Sequence, residues 1–170
     1  MAPDGTAADI PIPALLRAAR GAFAPSMREQ LHEAGIDDLP RNGAYIVGGL
    51  TWGVHAGQLL HEVSTSDNVR SRLLQALLER GFVQPGNGEP KFGLDDLALT
   101  EKGRRAAEAS ARGITAVTQE LKDALSPEQY SAFRAGLVAL IDIKERAEER
   151  HLSEHEHSHD HPHEHHHEHG

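Results

Sequence analysis

The sequence predicts a mainly α fold with a small β-hairpin. Aromatic residues make up only 4% of the 170 positions, so the core must be built from Leu, Ile, Val and Ala, which suits helices packed on helices better than a β-sandwich. Apolar residues recur at helical spacing along most of the chain from Ile12 to Ile143. One dense block of turn chemistry, Pro85-Gly86-Asn87-Gly88-Glu89-Pro90, separates two short apolar runs.

Residues 1–11 are small, polar and Pro-containing, and are expected to be disordered. A helical pattern starts at Ile12, with Pro13 tolerable in its first turn, and carries Leu15, Leu16, Ala19, Phe23, Met27, Leu31 and Ala34 before Gly35. Gly21 and Pro25 interrupt it, so a kink or break is expected near Ala24. A second helix is expected from about Pro40 to Leu50 with Tyr45, Ile46 and Val47 inward, and a third from Val54 to Val63 with Leu59, Leu60 and Val63 inward. After the short turn Ser64-Thr65, Ser66 is a good N-cap and Asp67 suits the positive end of the helix dipole. That fourth helix carries Val69, Leu73, Leu74, Leu77 and Leu78 and stops at Gly81.

Phe82 to Gln84 read as a strand, and Leu97-Ala98-Leu99 as its returning partner. Thr100 then caps a helix whose stripe, Ala106, Ala107, Ser110, Ile114, Val117, Leu121 and Leu125, spans about 25 residues or roughly 37 Å. Ser126-Pro127-Glu128-Gln129 combines an N-cap, Pro at the first position and Gln at the capping-box position. Tyr130, Phe133, Leu137, Leu140 and Ile141 follow at helical spacing, and the pattern turns charged from Lys144 to Arg150. Long amphipathic helices beside a small body need cover, and a second copy of the chain is the expected source.

Composition narrows the function classes. Without Cys there is no disulfide, thiolate metal site or thiol catalysis. No apolar run approaches the roughly 18 residues of a membrane span, and Met1 to Asp9 does not read as a signal peptide, so no membrane association and a cytoplasmic location are expected. There is no phosphate-binding Gly loop and no nucleophile motif; the pairs Asp37-Asp38 and Asp95-Asp96 read as turn or capping residues. An enzyme is not expected. The net charge of −9 weighs against nucleic-acid binding only weakly, because local charge on the contacting face decides it.

Two short helices joined by a tight turn and followed by a hairpin form a winged helix-turn-helix, whose second helix enters the DNA major groove. Here the helix-turn-helix is expected at about 54–80 and the wing at about 82–99. The start of the second helix offers Asn68, Arg70, Ser71 and Arg72; Arg pairs with guanine and Asn with adenine through two hydrogen bonds each. Thr65, Ser66 and Ser71 can bond phosphates at the helix N-terminus.

The segment Leu59 to Val83, LLHEVSTSDNVRSRLLQALLERGFV, resembles the MarR-family pattern of an apolar pair, a short turn, a Ser-started recognition helix and Leu-x-x-x-Gly-apolar-Val. Leu99-Thr100-Glu101-Lys102-Gly103 is similar to that family's Leu-Thr-x-x-Gly junction between wing and dimerisation helix, and Leu125 to Gln129 sits where its final helix begins. The resemblance spans about Ile12 to Arg150. It implies a homodimeric transcription regulator, with dimerisation helices at about 101–125 and 127–150, that binds a pseudo-palindromic double-stranded operator as a repressor. It also implies a pocket for a small-molecule effector, for which Tyr45 and Trp52 are candidate linings, although core packing suits both better. The family's wing usually carries Asp-x-Arg for the minor groove; here Lys91 is the sole basic residue between Phe82 and Thr100, a point charge for a phosphate.

Residues 151–170 hold ten His and five acidic residues with no Lys or Arg, and are expected to be disordered without a ligand. His151, His155, His157, His159, His161, His163, His165, His166, His167 and His169 are candidate ligands for Zn²⁺ or Ni²⁺, none of it an obligatory cofactor. A metal-buffering protein acting through this tail is the alternative to the regulator. His32, His55 and His61 read as structural.

Overall fold

The computed structural model describes residues 10–86 and 97–157, with the backbone alone for 152–157. Lys91, the expected disorder of the N-terminus before residue 10, and the tail from residue 158 lie outside the described residues. In order the elements are α1 (Ile12–Ala19), a 3-10 turn (Arg20–Phe23), α2 (Ala24–Glu33), α3 (Gly43–Thr51), α4 (Ala56–Val63), α5 (Asp67–Glu79), β1 (Val83–Pro85), β2 (Leu97–Leu99), α6 (Glu101–Ala124) and α7 (Pro127–His157). The fold is mainly α with one two-stranded antiparallel sheet. The chain divides into two units, Met1–Glu120 and Leu121–Gly170.

The first unit holds the core. Ile46 and Val47 of α3, Leu59 and Leu60 of α4, Leu73 and Leu77 of α5, and Phe82 are buried together with Ala106, Ala107 and Ala109 of α6. Each large apolar side chain so buried contributes about 1.5–3 kcal/mol relative to exposure. The small face of α6 lets its neighbours approach. A Cβ on Gly113 would lie 2.6 Å from the Met27 backbone, and one on Gly103 would lie 2.0 Å from the Phe82 carbonyl oxygen.

The end of α5 and the start of α6 lock onto each other. The Phe82 N–H donates to the Leu77 carbonyl (2.9 Å) and the Gly81 N–H to the Leu78 carbonyl (3.1 Å), the pair of bonds that closes a helix on a left-handed residue, here Gly81 at φ +73°. The chain then enters β1, which pairs Val83 with Leu99, Gln84 with Ala98 and Pro85 with Leu97. At the far end of β2 the Thr100 hydroxyl accepts from the Gly103 N–H (3.0 Å) and donates to the Gly81 carbonyl, while the Thr100 N–H donates to Phe82 (3.1 Å). Lys102 reaches back to the Asp38 carboxylate (2.6 Å) and the Arg80 carbonyl (2.8 Å), with its ammonium 4.3 Å from the Phe82 ring centre. Arg80 also donates to the Asp38 carbonyl (2.7 Å).

The break expected near Ala24 is present as a 3-10 turn between α1 and α2, where Gly21 and Pro25 interrupt the pattern. Several other expectations are corrected. α3 starts at Gly43 because Asn42 before it is left-handed at φ 66°. Tyr45 is exposed (48%), since its hydroxyl turns to Glu62 on α4. Val69 and Leu78 are also exposed, because a helix covered on one side buries only one stripe, here Leu73 and Leu77. Ser66 holds the N-cap position of α5 without a side-chain capping bond; instead its N–H donates to the Ser64 hydroxyl (3.1 Å).

In the second unit α7 opens on the expected reciprocal capping box. The Gln129 N–H donates to the Ser126 hydroxyl (3.2 Å), and the Ser126 N–H to the Gln129 side-chain oxygen (2.9 Å). The helix runs to His157 rather than stopping at 150, so the start of the segment expected to be disordered is helical. Glu, Arg, Ala and Leu between Lys144 and Glu156 are good helix formers, and Lys144 and Glu148 pair one turn apart (3.7 Å).

Candidate nucleic-acid interface

α4, the turn Ser64–Ser66 and α5 form a helix-turn-helix, and the β1–β2 hairpin follows α5 as the wing. Buried Leu59, Leu60, Leu73 and Leu77 hold the two helices together, which leaves the first two turns of α5 to project polar residues. Thr65, Ser66, Asn68, Ser71 and Arg72 are all exposed. Arg72 has neither an ion pair nor a hydrogen bond among the described residues. The main chain of α5 begins with the Arg70 N–H donating to the Ser66 carbonyl (3.1 Å).

Arg70 differs from Arg72. Its side chain is 19% exposed, and its guanidinium donates to the Ser64 carbonyl (2.9 Å) and to the Asp67 carboxylate and lies 3.4 Å from Nδ1 of His61. The structure thus separates two arginines that the sequence placed together. Residue spacing showed both near the start of one helix, but not that the open Ser64 carbonyl of the turn lies within reach of only one. His61, read as structural, takes part in that cluster. His32 is structural too, bonded at the surface to Asp37, whose hydrogen bond and charge hold the imidazole above its ordinary pKa.

α3 is tied to the helix-turn-helix by the Tyr45 hydroxyl, which donates to Glu62; the carboxylate beside it pushes the phenol up to about 12. Beside the wing strand, α3, β2 and α6 line a half-open cleft of about 570 Å³ bordered by Thr51, Trp52, Leu97, Leu99, Arg104 and Ser110, among others. Trp52 stands at it 86% exposed, so the expectation of core packing for Trp52 is corrected; Tyr45 neither lines this cleft nor sits in the core. The hydroxyl of Ser110 is buried there without a partner among the described residues. Arg104 is held at the edge by Glu101 (2.7 Å) and the Leu99 carbonyl (3.3 Å). Sequence reading counted Ser110 only as part of an apolar stripe. A hydroxyl inside that stripe was the available signal.

No cluster of three or more His, Asp or Glu that could hold a metal occurs among the described residues, and no described helix is long and apolar enough to cross a membrane. His151 is exposed on α7, while the side chains of His155 and His157 and all later tail histidines lie outside the described residues.

No protein-family profile and no curated protein matches the chain. Solved structures do match. A Mycobacterium tuberculosis MarR family protein, Rv2887, in complex with DNA is 21% identical, aligning over 78% of this chain and 98% of its own with a TM-score of 0.51. A MepR mutant from a multidrug-resistant S. aureus clinical isolate is 16% identical over 79% of this chain and 97% of its own, with a TM-score of 0.47. The chain has the winged helix-turn-helix fold of a MarR family protein.

Proposed function

We propose that the chain is a homodimeric DNA-binding transcription regulator, acting as a repressor. The observation that carries this reading is the start of α5, where exposed Asn68, Ser71 and Arg72 project from a helix whose other face is anchored in the core. Thr65 and Ser66 supply phosphate donors beside it, and Lys91 of the wing would add a point charge. The solved complex of Rv2887 with DNA supports the same use of this fold. Dimerisation is supported by apolar side chains left exposed among the described residues: Ile12, Leu15 and Leu16 on α1, and Phe133, Val138 and Ile141 on α7. Pseudo-palindromic operators follow from two-fold symmetry. The cleft beside the wing supports modulation by a small molecule, because a ligand there touches both the wing strand β2 and the long helix α6.

Selection of bound fragments from random DNA tests the reading. The expected result is a short inverted repeat. Arg72→Ala should weaken binding to it by about 10–100-fold, the loss of a two-bond contact to guanine worth about 1–3 kcal/mol. Equal enrichment of all sequences would overturn the reading.

One observation favours a second activity. Because the backbone of α7 continues to His157, positions 151 and 155 fall four residues apart along one helix, the sequence spacing of a two-histidine metal motif. Zn²⁺ or Ni²⁺ held there and by the following histidines would make the tail a metal buffer or a metal-responsive arm. Calorimetry with Ni²⁺ at neutral pH would show uptake that fades as the imidazoles protonate.

A further inference from the structure

The cluster around Arg70 carries an inference that rests on the DNA-binding reading and deepens it. Arg70 lies in the first turns of the helix proposed to read DNA, yet its guanidinium is spent inside the chain. One amino group serves the Ser64 carbonyl and approaches the His61 imidazole; the other serves Asp67. The Ser64 carbonyl belongs to the turn between α4 and α5, so this bond fixes how the two helices meet. Asp67 is the first residue of α5, and its carboxylate is 91% exposed. It neutralises Arg70 and at the same time sets a negative charge at a helix start that would otherwise attract phosphate. Arg72, two residues on, is exposed and unengaged among the described residues.

We propose that Asp67 and the Ser64 carbonyl latch Arg70 away from DNA, so that Arg70 positions the turn, Arg72 is the one arginine of α5 that reads the groove, and Asp67 limits affinity. Asp67 thereby sets the affinity for the DNA backbone and not the choice of sequence. With the latch intact, Arg70 contributes no counterion release on binding. Freed from Asp67, its guanidinium can swing to a phosphate.

The test measures binding of the full chain to a short duplex of mixed sequence across a salt series. Each phosphate neutralised steepens the slope of log K against log salt by about 0.9. Arg70→Ala should leave the native slope unchanged. Asp67→Asn should tighten binding about tenfold and steepen the slope by about 0.9, and adding Arg70→Ala to that variant should remove the steepening. Loss of the Asp67 charge alone would tighten binding whether or not Arg70 is present, so this cycle separates release of Arg70 from relief of repulsion. A native slope flattened by Arg70→Ala, or a steepening that survives it, overturns the latch. If Arg70→Ala fails to fold, Arg70→Gln keeps a donor for the Ser64 carbonyl without the charge and repeats the series. Absence of any duplex binding by the native chain would remove the DNA-binding reading instead. The part of the latch that holds the turn is tested separately by melting, where Arg70→Ala should lower the midpoint by about 4 °C and an unchanged midpoint overturns it.

Discussion

The junction between α5 and α6 and the apolar faces of α1 and α7 satisfy their chemistry in opposite ways. At the junction every group named finds its partner within the chain: Gly81 closes α5, Thr100 bonds across to it, Lys102 ties Asp38 and Arg80, and Phe82 is fully buried. On α1 no residue is buried, and on α7 Phe133, Val138, Leu140, Ile141 and Ile143 are exposed. Exposed apolar faces of this kind mark surfaces suited to interaction. The contrast is between a winged body whose groups meet their partners locally and two helices whose apolar side chains stay exposed among the described residues, the faces that the proposed dimer would use.

The sharpest way to break the first region is Gly103→Val. Its Cβ would meet the Phe82 carbonyl oxygen at 2.0 Å, a main-chain atom that cannot step aside without opening the junction. A loss of about 3 kcal/mol or more is expected, read by thermal melting; a native melting curve would show that α6 and the Phe82 segment are less tightly apposed. The second region is broken by Ile141→Glu, which places a charge on an apolar face that is already exposed in one chain. Sedimentation should show a shift from dimer to monomer with the helical content of the winged body kept. Retained dimer would move the interface off this face of α7.

The smallest effect concerns the edge of the junction. The Lys102 ammonium holds the Asp38 carboxyl below its ordinary pKa, through its hydrogen bond first and its charge second. Because the folded value is depressed, the pair stabilises the protein above the ordinary aspartate value near 3.8 and ceases to do so as pH falls through the lower folded value. Asp38 is about half exposed, so solvent screening keeps the contribution below about 1 kcal/mol. Lys102→Met should therefore lower stability at pH 7 slightly and leave the difference smaller near pH 3. An equal difference at both pH values would place the role of Lys102 in its contact with Phe82 and the Arg80 carbonyl.

Much of the fold was legible because its signals are local. Gly81 ending α5, Thr100 and Gly103 opening α6, and Ser126 with Gln129 opening α7 each depend on residues a few positions apart, and all act as their sequence spacing implied. Burial was less legible. Tyr45 and Val69 fit an inward pattern but are exposed, because periodicity marks a face without saying which end of it a neighbour covers. The candidate site was legible as a location and less so as chemistry. Asn68 and Arg72 stand exposed where the helix-turn-helix pattern put them, while the engagement of Arg70 depends on the orientation of a turn carbonyl that no residue spacing encodes.

By itself, then, the sequence determined the order of helices, their caps and stops, the hairpin between α5 and α6, and the polar start of the helix proposed to read DNA. These follow from periodicity, capping and backbone preference, which act within a turn or two of chain. Tertiary structure decided which arginine of α5 is free, how a buried Ser110 hydroxyl comes to face a cleft beside Trp52, and why Gly103 must lack a side chain. Each of these arises where segments far apart in sequence meet, and the distances between their atoms exist only once the core has closed.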